Sequence, residues 1–143
     1  MGITIHANGV SRSFDCGYFG FAKLRNNIAE AFDKDFAAIY SYGLLATWKP
    51  EDWEKRLNNI LALKNKTGEI KDCDNDILDF LFESDCEGKA NYETCKKIYD
   101  LIKDIDFTGK IFTYGAYSDG KDYEYFKEFL KECYDKRAMM LWS

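Results

Sequence analysis

The most regular pattern of apolar and polar residues in the chain lies between residues 13 and 32. Apolar residues recur there at intervals of three and four, which is typical of an amphipathic helix with one buried face. Asp15 precedes this stripe, and its carboxylate can accept hydrogen bonds from the free N–H groups of a helix start, so we predict that it is the N-cap. Arg25 lies inside the stripe, which comprises Gly20, Phe21, Leu24, Ile28, Ala31 and Phe32.

Three short segments have the composition of strands. Residues 3–7 alternate apolar with polar side chains and are rich in β-branched residues, and the Asn8-Gly9 pair that follows is a turn sequence. Residues 110–114 are also rich in β-branched and aromatic residues, and residues 138–142 form a short apolar run at the end of the sequence. We therefore predict a strand at each end of the chain and a third strand before the last helix.

The remaining periodicity is mainly helical. Pro50 is suited to the first position of a helix and Asn91 to an N-cap. Further helices are predicted over residues 36–45, 50–64 and 77–82, from Asn91 to Gly109, and after a turn at Asp119-Gly120. The fold class that follows is a helix-dominated α+β domain with a small antiparallel sheet, in which the N- and C-terminal strands are candidates to pair.

Length and composition indicate one folded domain. A chain of 143 residues can bury about two thirds of its surface, so we expect residues 1–143 to form a single globular unit. Its five cysteines are odd in number and contain no C-x-x-C pair, and no cationic and apolar leader precedes them, so we expect reduced thiols in a cytoplasmic protein. No apolar run reaches membrane-spanning length, so we expect no membrane partner.

The formal net charge of −5 is unevenly distributed along the chain. Residues 1–71 hold 10 basic and 8 acidic groups, whereas residues 72–143 hold 10 and 17, so the halves carry +2 and −7. Binding to nucleic acid depends largely on lysine and arginine that neutralise phosphates, so we expect no direct contact with DNA or RNA. A protein with a basic surface is the partner that this charge favours.

Signatures of common catalytic sites do not occur in the sequence. Nucleophilic catalysis by serine or cysteine needs a base beside the nucleophile, and the only histidine, His6, lies in a predicted strand. The motifs of hydrolase elbows, zinc proteases, P-loops and dinucleotide sites are not found. Two carboxylates that meet in space leave no sequence trace, so an enzyme of that kind remains the third hypothesis for function.

We expect neither a metal nor a cofactor. Structural zinc sites bring their ligands in close pairs, whereas the nearest cysteines, Cys86 and Cys95, are nine residues apart. Four acids match ligand positions of an EF-hand loop, but the position that requires glycine holds Ile77. The start of a helix explains these acids better. They are Asp72, Asp74, Asp76 and Glu83.

The acidic segment, which we define as residues 72–87, contains seven carboxylates in sixteen residues. One interpretation is a solvated helix face. The other is a surface that presents carboxylates to a basic protein. The candidate partner-binding residues are Asp72, Asp74, Asp76, Asp79, Glu83, Asp85 and Glu87.

An alternative function is the binding of a small molecule, such as a nucleotide signal that the protein would sequester. Arginines would hold the phosphate and tyrosines the base. Arg25 also has a purely structural interpretation, in which it pairs with a carboxylate at the edge of the core such as Asp15. The candidate ligand-binding residues are Arg12, Tyr18, Arg25, Tyr114 and Tyr117.

Three stretches carry a resemblance to known sequences: SFDCGYFGFAKLRNNIAEAF, FESDCEGKANYETCKKIYDLIKD and FKEFLKECYDKRAMMLWS. They resemble uncharacterised small proteins encoded by phages and prophages of low-GC Gram-positive bacteria. The resemblance covers most of the chain and implies a setting, since small acidic phage accessory proteins often inhibit a host protein, for instance as anti-CRISPRs. It implies no activity or catalytic residue. The leading hypothesis is therefore a non-enzymatic interaction protein that inhibits a host defence or nucleic-acid-handling protein.

Overall fold

The two ends of the chain meet in one small sheet. A computed structural model describes residues 2–44, 49–71, 74–114 and 121–143. Its strands are β1 (Gly2–His6), β2 (Phe14–Gly17), β3 (Gly88–Ala90) and β4 (Met140–Trp142), all antiparallel to their neighbours in the order β2-β1-β4-β3. Strand β1 pairs with β4, so the predicted pairing of the chain ends is confirmed.

The helices account for most of the described residues. They are α1 (Tyr18–Phe32), α2 (Lys34–Leu44), α3 (Pro50–Thr67), α4 (Asn75–Phe82), α5 (Tyr92–Ile102) and α6 (Asp122–Asp135). Local signals account for several of their ends. Pro50 opens α3, and the side chain of Asn91 accepts a hydrogen bond of 2.8 Å from the backbone N–H of Thr94. The predicted fold class, a helix-dominated α+β domain, is confirmed.

One face of the sheet is covered and the other is open. On the covered face, Phe14 packs edge-on against Phe126 and Phe129 of α6, and Trp142 lies against Phe21 of α1 and Phe80 of α4. Because side chains alternate along a strand, the intervening residues lie on the open face. They include Thr4, His6, Asp15, Lys89 and Leu141, all of them half-buried or exposed.

The first helix starts later than the periodicity predicts. Residues 14–17 form β2, and the register pairs Thr4 with Asp15. The hydroxyl of Thr4 donates a hydrogen bond of 2.7 Å to the Asp15 carboxylate, so Asp15 is not the N-cap. Gly17 occupies the N-cap position of α1 without a side-chain cap. The prediction was wrong because β1 offers residues 14–17 a complete set of strand partners.

The strand predicted over residues 110–114 does not form. The backbone N–H groups of Phe112 and Thr113 donate hydrogen bonds of 2.8 Å to one carboxylate oxygen of the buried Asp122. Tyr114 alone reaches the edge of β2, where its N–H donates to the carbonyl of Asp15 at 3.2 Å. The segment runs beside the sheet without a ladder because Asp122 occupies the N–H groups that a strand would need.

Helix α5 ends at Ile102, earlier than the predicted end at Gly109. The ammonium group of the buried Lys127 donates to the carbonyls of Lys103 at 3.3 Å and Ile105 at 2.7 Å. Those carbonyls are therefore satisfied without a further helical turn, and the lysine charge favours the negative end of the helix. The turn predicted at Asp119-Gly120 lies outside the described residues.

Candidate functional site

The acidic segment is presented by α4 and by the loop that follows it. Ile77, Phe80 and Leu81 bury one side of α4 in the core. Residues three and four apart share a face of a helix, so this burial directs Asp79 and the following Glu83 towards solvent, and both are exposed. Local periodicity is therefore sufficient to predict their exposure.

A shallow cleft of about 240 Å³ lies between α4, β3 and the start of α5. It brings together three of the predicted partner-binding acids, Asp76, Asp79 and Glu83. Asp76 forms an ion pair there, with 2.6 Å between its Oδ2 and the Nζ of Lys97. The described residues that line the cleft are Asp76, Asp79, Phe80, Glu83, Lys89, Ala90, Asn91, Thr94 and Met139.

Sequence reasoning did not place Lys89 and Met139 at this cleft. Lys89 lies in β3, which is only three residues long, and Met139 precedes β4. The two strands pair with Ala90 opposite Met140, which brings these residues near each other. Strands this short have too few residues for alternation to be recognised, so only the pairing reveals the contact.

Asp74, one of the first acids of the acidic segment, lies at the start of α4. Asp74 occupies the N-cap position, and its carboxylate accepts a hydrogen bond of 2.9 Å from the backbone N–H of Lys71. Its carboxylate thus stabilises the turn that leads into the helix. Asp72 lies outside the described residues.

The later acids are the exposed ones. Asp79, Glu83, Asp85 and Glu87 are all exposed, and none of them enters an ion pair with another described residue. Asp85 accepts a hydrogen bond from the thiol of Cys86 at 3.4 Å. These four carboxylates therefore form a negative surface without direct ion pairs among the described residues, and the buried charge of Arg25 acts on Glu83 and Asp85 from below.

Arg25 lies beneath this surface and holds its backbone. The residue is 4% exposed, and its guanidinium donates hydrogen bonds to the carbonyls of Glu83 at 2.7 Å and Ser84 at 3.1 Å. The indole N–H of Trp142 also donates to the carbonyl of Ser84, at 2.8 Å, and the Tyr40 hydroxyl donates to Leu81 at 2.7 Å. The loop after α4 is thereby fixed from below by three side chains.

The prediction that Arg25 pairs with a carboxylate such as Asp15 is wrong. The structure instead places the guanidinium at the negative, C-terminal end of α4, where it meets backbone carbonyls, and 4.4 Å above the ring of Phe21. Its Nε is buried without a hydrogen-bond partner, and burial lowers the pKa of Arg25 from its usual value. Spacing along one helix cannot identify carbonyls 58 residues away.

The alternative ligand-binding residues contact separate neighbours. Arg12 lies 3.9 Å above the ring of Tyr125 and forms a 3.7 Å ion pair with Glu128, both on α6. Tyr114 is exposed beside β1 and β2. Tyr18 lies beside Cys86, Arg25 is occupied as described, and Tyr117 lies outside the described residues. The described members of this set therefore contact different parts of the fold.

The arrangement of the histidine and the thiols does not provide a nucleophile with a base. Cys16 lies on the covered face of the sheet and His6 on the open face. Burial, with the charges of Asp15 and Asp122, raises the pKa of Cys16 to about 12, which disfavours its thiolate.

The other described cysteines are also poor nucleophiles. Cys95 on α5 and Cys133 on α6 are fully buried and share a thiol hydrogen bond, which together with burial raises the pKa of Cys95. The same hydrogen bond lowers the pKa of Cys133, but burial keeps this thiol away from any substrate in solution. A hydrogen bond to Asp85 raises the pKa of the exposed Cys86 thiol. Cys73 lies outside the described residues.

The described residues contain neither a group of metal-ligating side chains nor a helix that could span a membrane. No group of three histidine, cysteine, aspartate or glutamate side chains is placed there to hold an ion. Helix α4 runs through residues 75–82, which an EF-hand would need as a loop. Each helix that the structure describes is too short or too polar to cross a bilayer.

Comparisons with family models, with curated proteins and with solved structures returned no match for this chain.

Proposed function

We propose that this protein is a non-enzymatic interaction protein whose acidic segment binds a basic surface on another protein. The observation that carries the proposal is the row of exposed carboxylates of Asp79, Glu83, Asp85 and Glu87, which enter no ion pair within the described part of the chain. Complementary charge speeds association and disfavours wrong partners. Because Arg25 fixes the backbone beneath these acids, little ordering is needed on binding.

The resemblance to small phage and prophage proteins narrows the choice of partner. Proteins of that setting, when small and acidic, often inhibit a host protein. Host proteins that handle nucleic acid carry lysine and arginine at the sites that contact phosphates, and an acidic protein can occupy such a site. The partner that we propose is therefore a host defence or nucleic-acid-handling protein, as for an anti-CRISPR.

The test compares two charge-reversal variants. In the first, Asp79, Glu83 and Glu87 become lysine. In the matched control, three exposed acids away from the segment become lysine, so that the net charge changes equally: Glu30, Glu54 and Asp104. A partner is recovered from host lysate at low salt and identified, and its association with each variant is followed by surface plasmon resonance.

We expect the first variant to associate at least about tenfold more slowly than the parent at low salt, with a smaller difference at high salt because ions screen the charges. The control should associate much more nearly at the parental rate. Both should melt within a few degrees of the parent, since exposed charges contribute about 0 to 1 kcal/mol each to stability. Equal slowing by both variants, or no stoichiometric partner at low salt, would contradict the proposal.

A further inference from the structure

A second groove, of about 380 Å³, lies on the side of α1 away from α4. One wall is the outer face of α1 and the other is the turn that follows α5. The groove falls within the size range of small-molecule sites. The described residues that line it are Lys23, Asn26, Asn27, Gly109, Lys110 and Ile111.

A single buried side chain holds both walls. The amide of Asn27 donates a hydrogen bond of 2.6 Å to the hydroxyl of Tyr123. The ring of Tyr123 stacks on Phe107, with 4.4 Å between centroids. From Phe107 the chain turns through Gly109, at φ +81°, and the N–H of Lys110 returns to the Phe107 carbonyl at 2.9 Å. The groove is therefore formed before any ligand arrives.

The charge of this groove is opposite to that of the chain as a whole. Lys23 and Lys110 lie within ion-pair distance of no carboxylate among the described residues, and no carboxylate is found among those that line the groove. Each ammonium group instead lies over an aromatic ring, at 4.8 Å from Phe19 and 5.8 Å from Phe107 respectively.

Some other lysines form ion pairs with carboxylates, and Lys64 is the clearest case. Like the exposed Lys34 and Lys55, Lys23 and Lys110 form no ion pair with another described residue, and they differ from those lysines in lying at one groove. Lys64 meets Asp33, Asp35 and Glu69 at 3.4, 2.7 and 2.6 Å. The nearest acid along the turn, Asp106, is hydrogen-bonded to the backbone N–H of Thr108 at 2.9 Å and to its hydroxyl. Asp106 keeps its negative charge, but it forms no ion pair with Lys23 or Lys110.

One apolar side chain lines the groove and a second lies near it. Ile111, in the lining, is 40% exposed, and Phe19, whose ring is contacted by the ammonium group of Lys23, is 64% exposed. Apolar surface beside a few polar groups that can orient a ligand is typical of small-molecule sites. Lysines bind phosphate or carboxylate as point charges, and asparagine amides add directed hydrogen bonds.

We propose that this groove binds a small polyanion, with an anionic group shared by Lys23 and Lys110, hydrogen bonds from Asn26, and an apolar part of the ligand against Ile111 and Phe19. Phosphate and carboxylate groups have the charge that this site requires. The site is independent of the acidic segment. It also lies apart from Arg12 and Arg25, the arginines that the sequence suggested for a phosphate.

The experiment is a two-dimensional amide NMR titration of the full chain with pyrophosphate, with citrate, and with sodium chloride at matched ionic strength. We expect saturable shifts confined to residues 19–27 and 107–111, with a Kd below about 1 mM for at least one polyanion. Shifts with pyrophosphate alone would identify a phosphorylated ligand, with citrate alone a carboxylate ligand, and with both a general polyanion site.

Variants test whether anion binding depends on the groove or on the surface charge of the protein in general. Lys23→Met and Lys110→Met should each weaken binding about tenfold, the loss expected for one charge-assisted hydrogen bond, and Lys23→Arg should retain it. The exposed Lys34→Met and Lys55→Met serve as controls with the same loss of charge and should bind as the parent does. Linear shifts that also occur with sodium chloride, or equal weakening in the control variants, would overturn the proposal.

Discussion

Replacing Arg25 with methionine removes the donor beneath the acidic segment while keeping an apolar side chain of similar length. In this variant the carbonyl of Ser84 would still accept a hydrogen bond from the indole of Trp142, and the carbonyl of Leu81 would still accept one from the hydroxyl of Tyr40. The carbonyl of Glu83 would lose its donor, because no other described residue donates to it. A hydrogen bond to a charged group contributes about 1.5 to 3 kcal/mol. The main loss is therefore one such bond.

Part of that loss is offset. The native guanidinium is buried with its Nε unpaired, and this desolvation cost disappears in the Arg25→Met variant. We expect a net decrease of about 2 kcal/mol in the free energy of unfolding, which lowers Tm by about 4 to 8 °C in a domain of this size. Amides of residues 83–88 should also exchange faster with solvent, because the loop loses its support.

Urea unfolding and hydrogen exchange measure both effects. The control is Lys23→Met, the same loss of charge at an exposed position of α1. If Arg25→Met unfolds within about 0.5 kcal/mol of this control, the range of ordinary surface substitutions, the buried hydrogen bonds do not stabilise the loop and the reasoning is refuted.

Further perturbations test the core and the turn after α5. Leu24 is fully buried on α1, so Leu24→Ala should lower the free energy of unfolding by about 2 to 5 kcal/mol. An unchanged urea midpoint would show that the assigned buried face is wrong. Gly20→Ala should destabilise by about 1 to 3 kcal/mol in the same assay, because its Cβ would overlap the carbonyl of Phe112. Hydrogen bonds from Thr108 hold the pKa of Asp106 below its ordinary value of 3.8, so the stabilisation they give is present above pH 3.8 and is lost as the pH falls through the folded pKa. Carboxyl NMR titration should place the Asp106 pKa closer to 3.8 in Thr108→Val, and an unperturbed parental pKa would contradict the contact.

Several elements could be predicted because their causes are local. The stripe of α1, the proline that opens α3 and the asparagine that caps α5 depend on neighbours within four residues. The exposure of Asp79 and Glu83 follows from the same periodicity. These features can be predicted from the sequence because the residues that cause them and the residues that they affect lie in the same short segment.

Other elements depend on partners that are distant in the chain. Residues 14–17 form a strand because β1 lies beside them, although the pattern that follows is helical. Residues 110–114 have strand-like composition, yet Asp122 occupies two of their N–H groups. Propensity is a weak prior that long-range hydrogen bonds readily override.

The candidate site shows the same division. The sequence by itself determined that the segment of residues 72–87 is acidic and that Arg25 lies in an apolar stripe. Only the tertiary structure decided that the guanidinium meets the carbonyls of Glu83 and Ser84, and that Lys23 and Lys110 share a groove without a carboxylate among its described lining residues. Charge and periodicity are properties of adjacent residues, whereas burial and hydrogen-bond partners depend on which distant segments pack together.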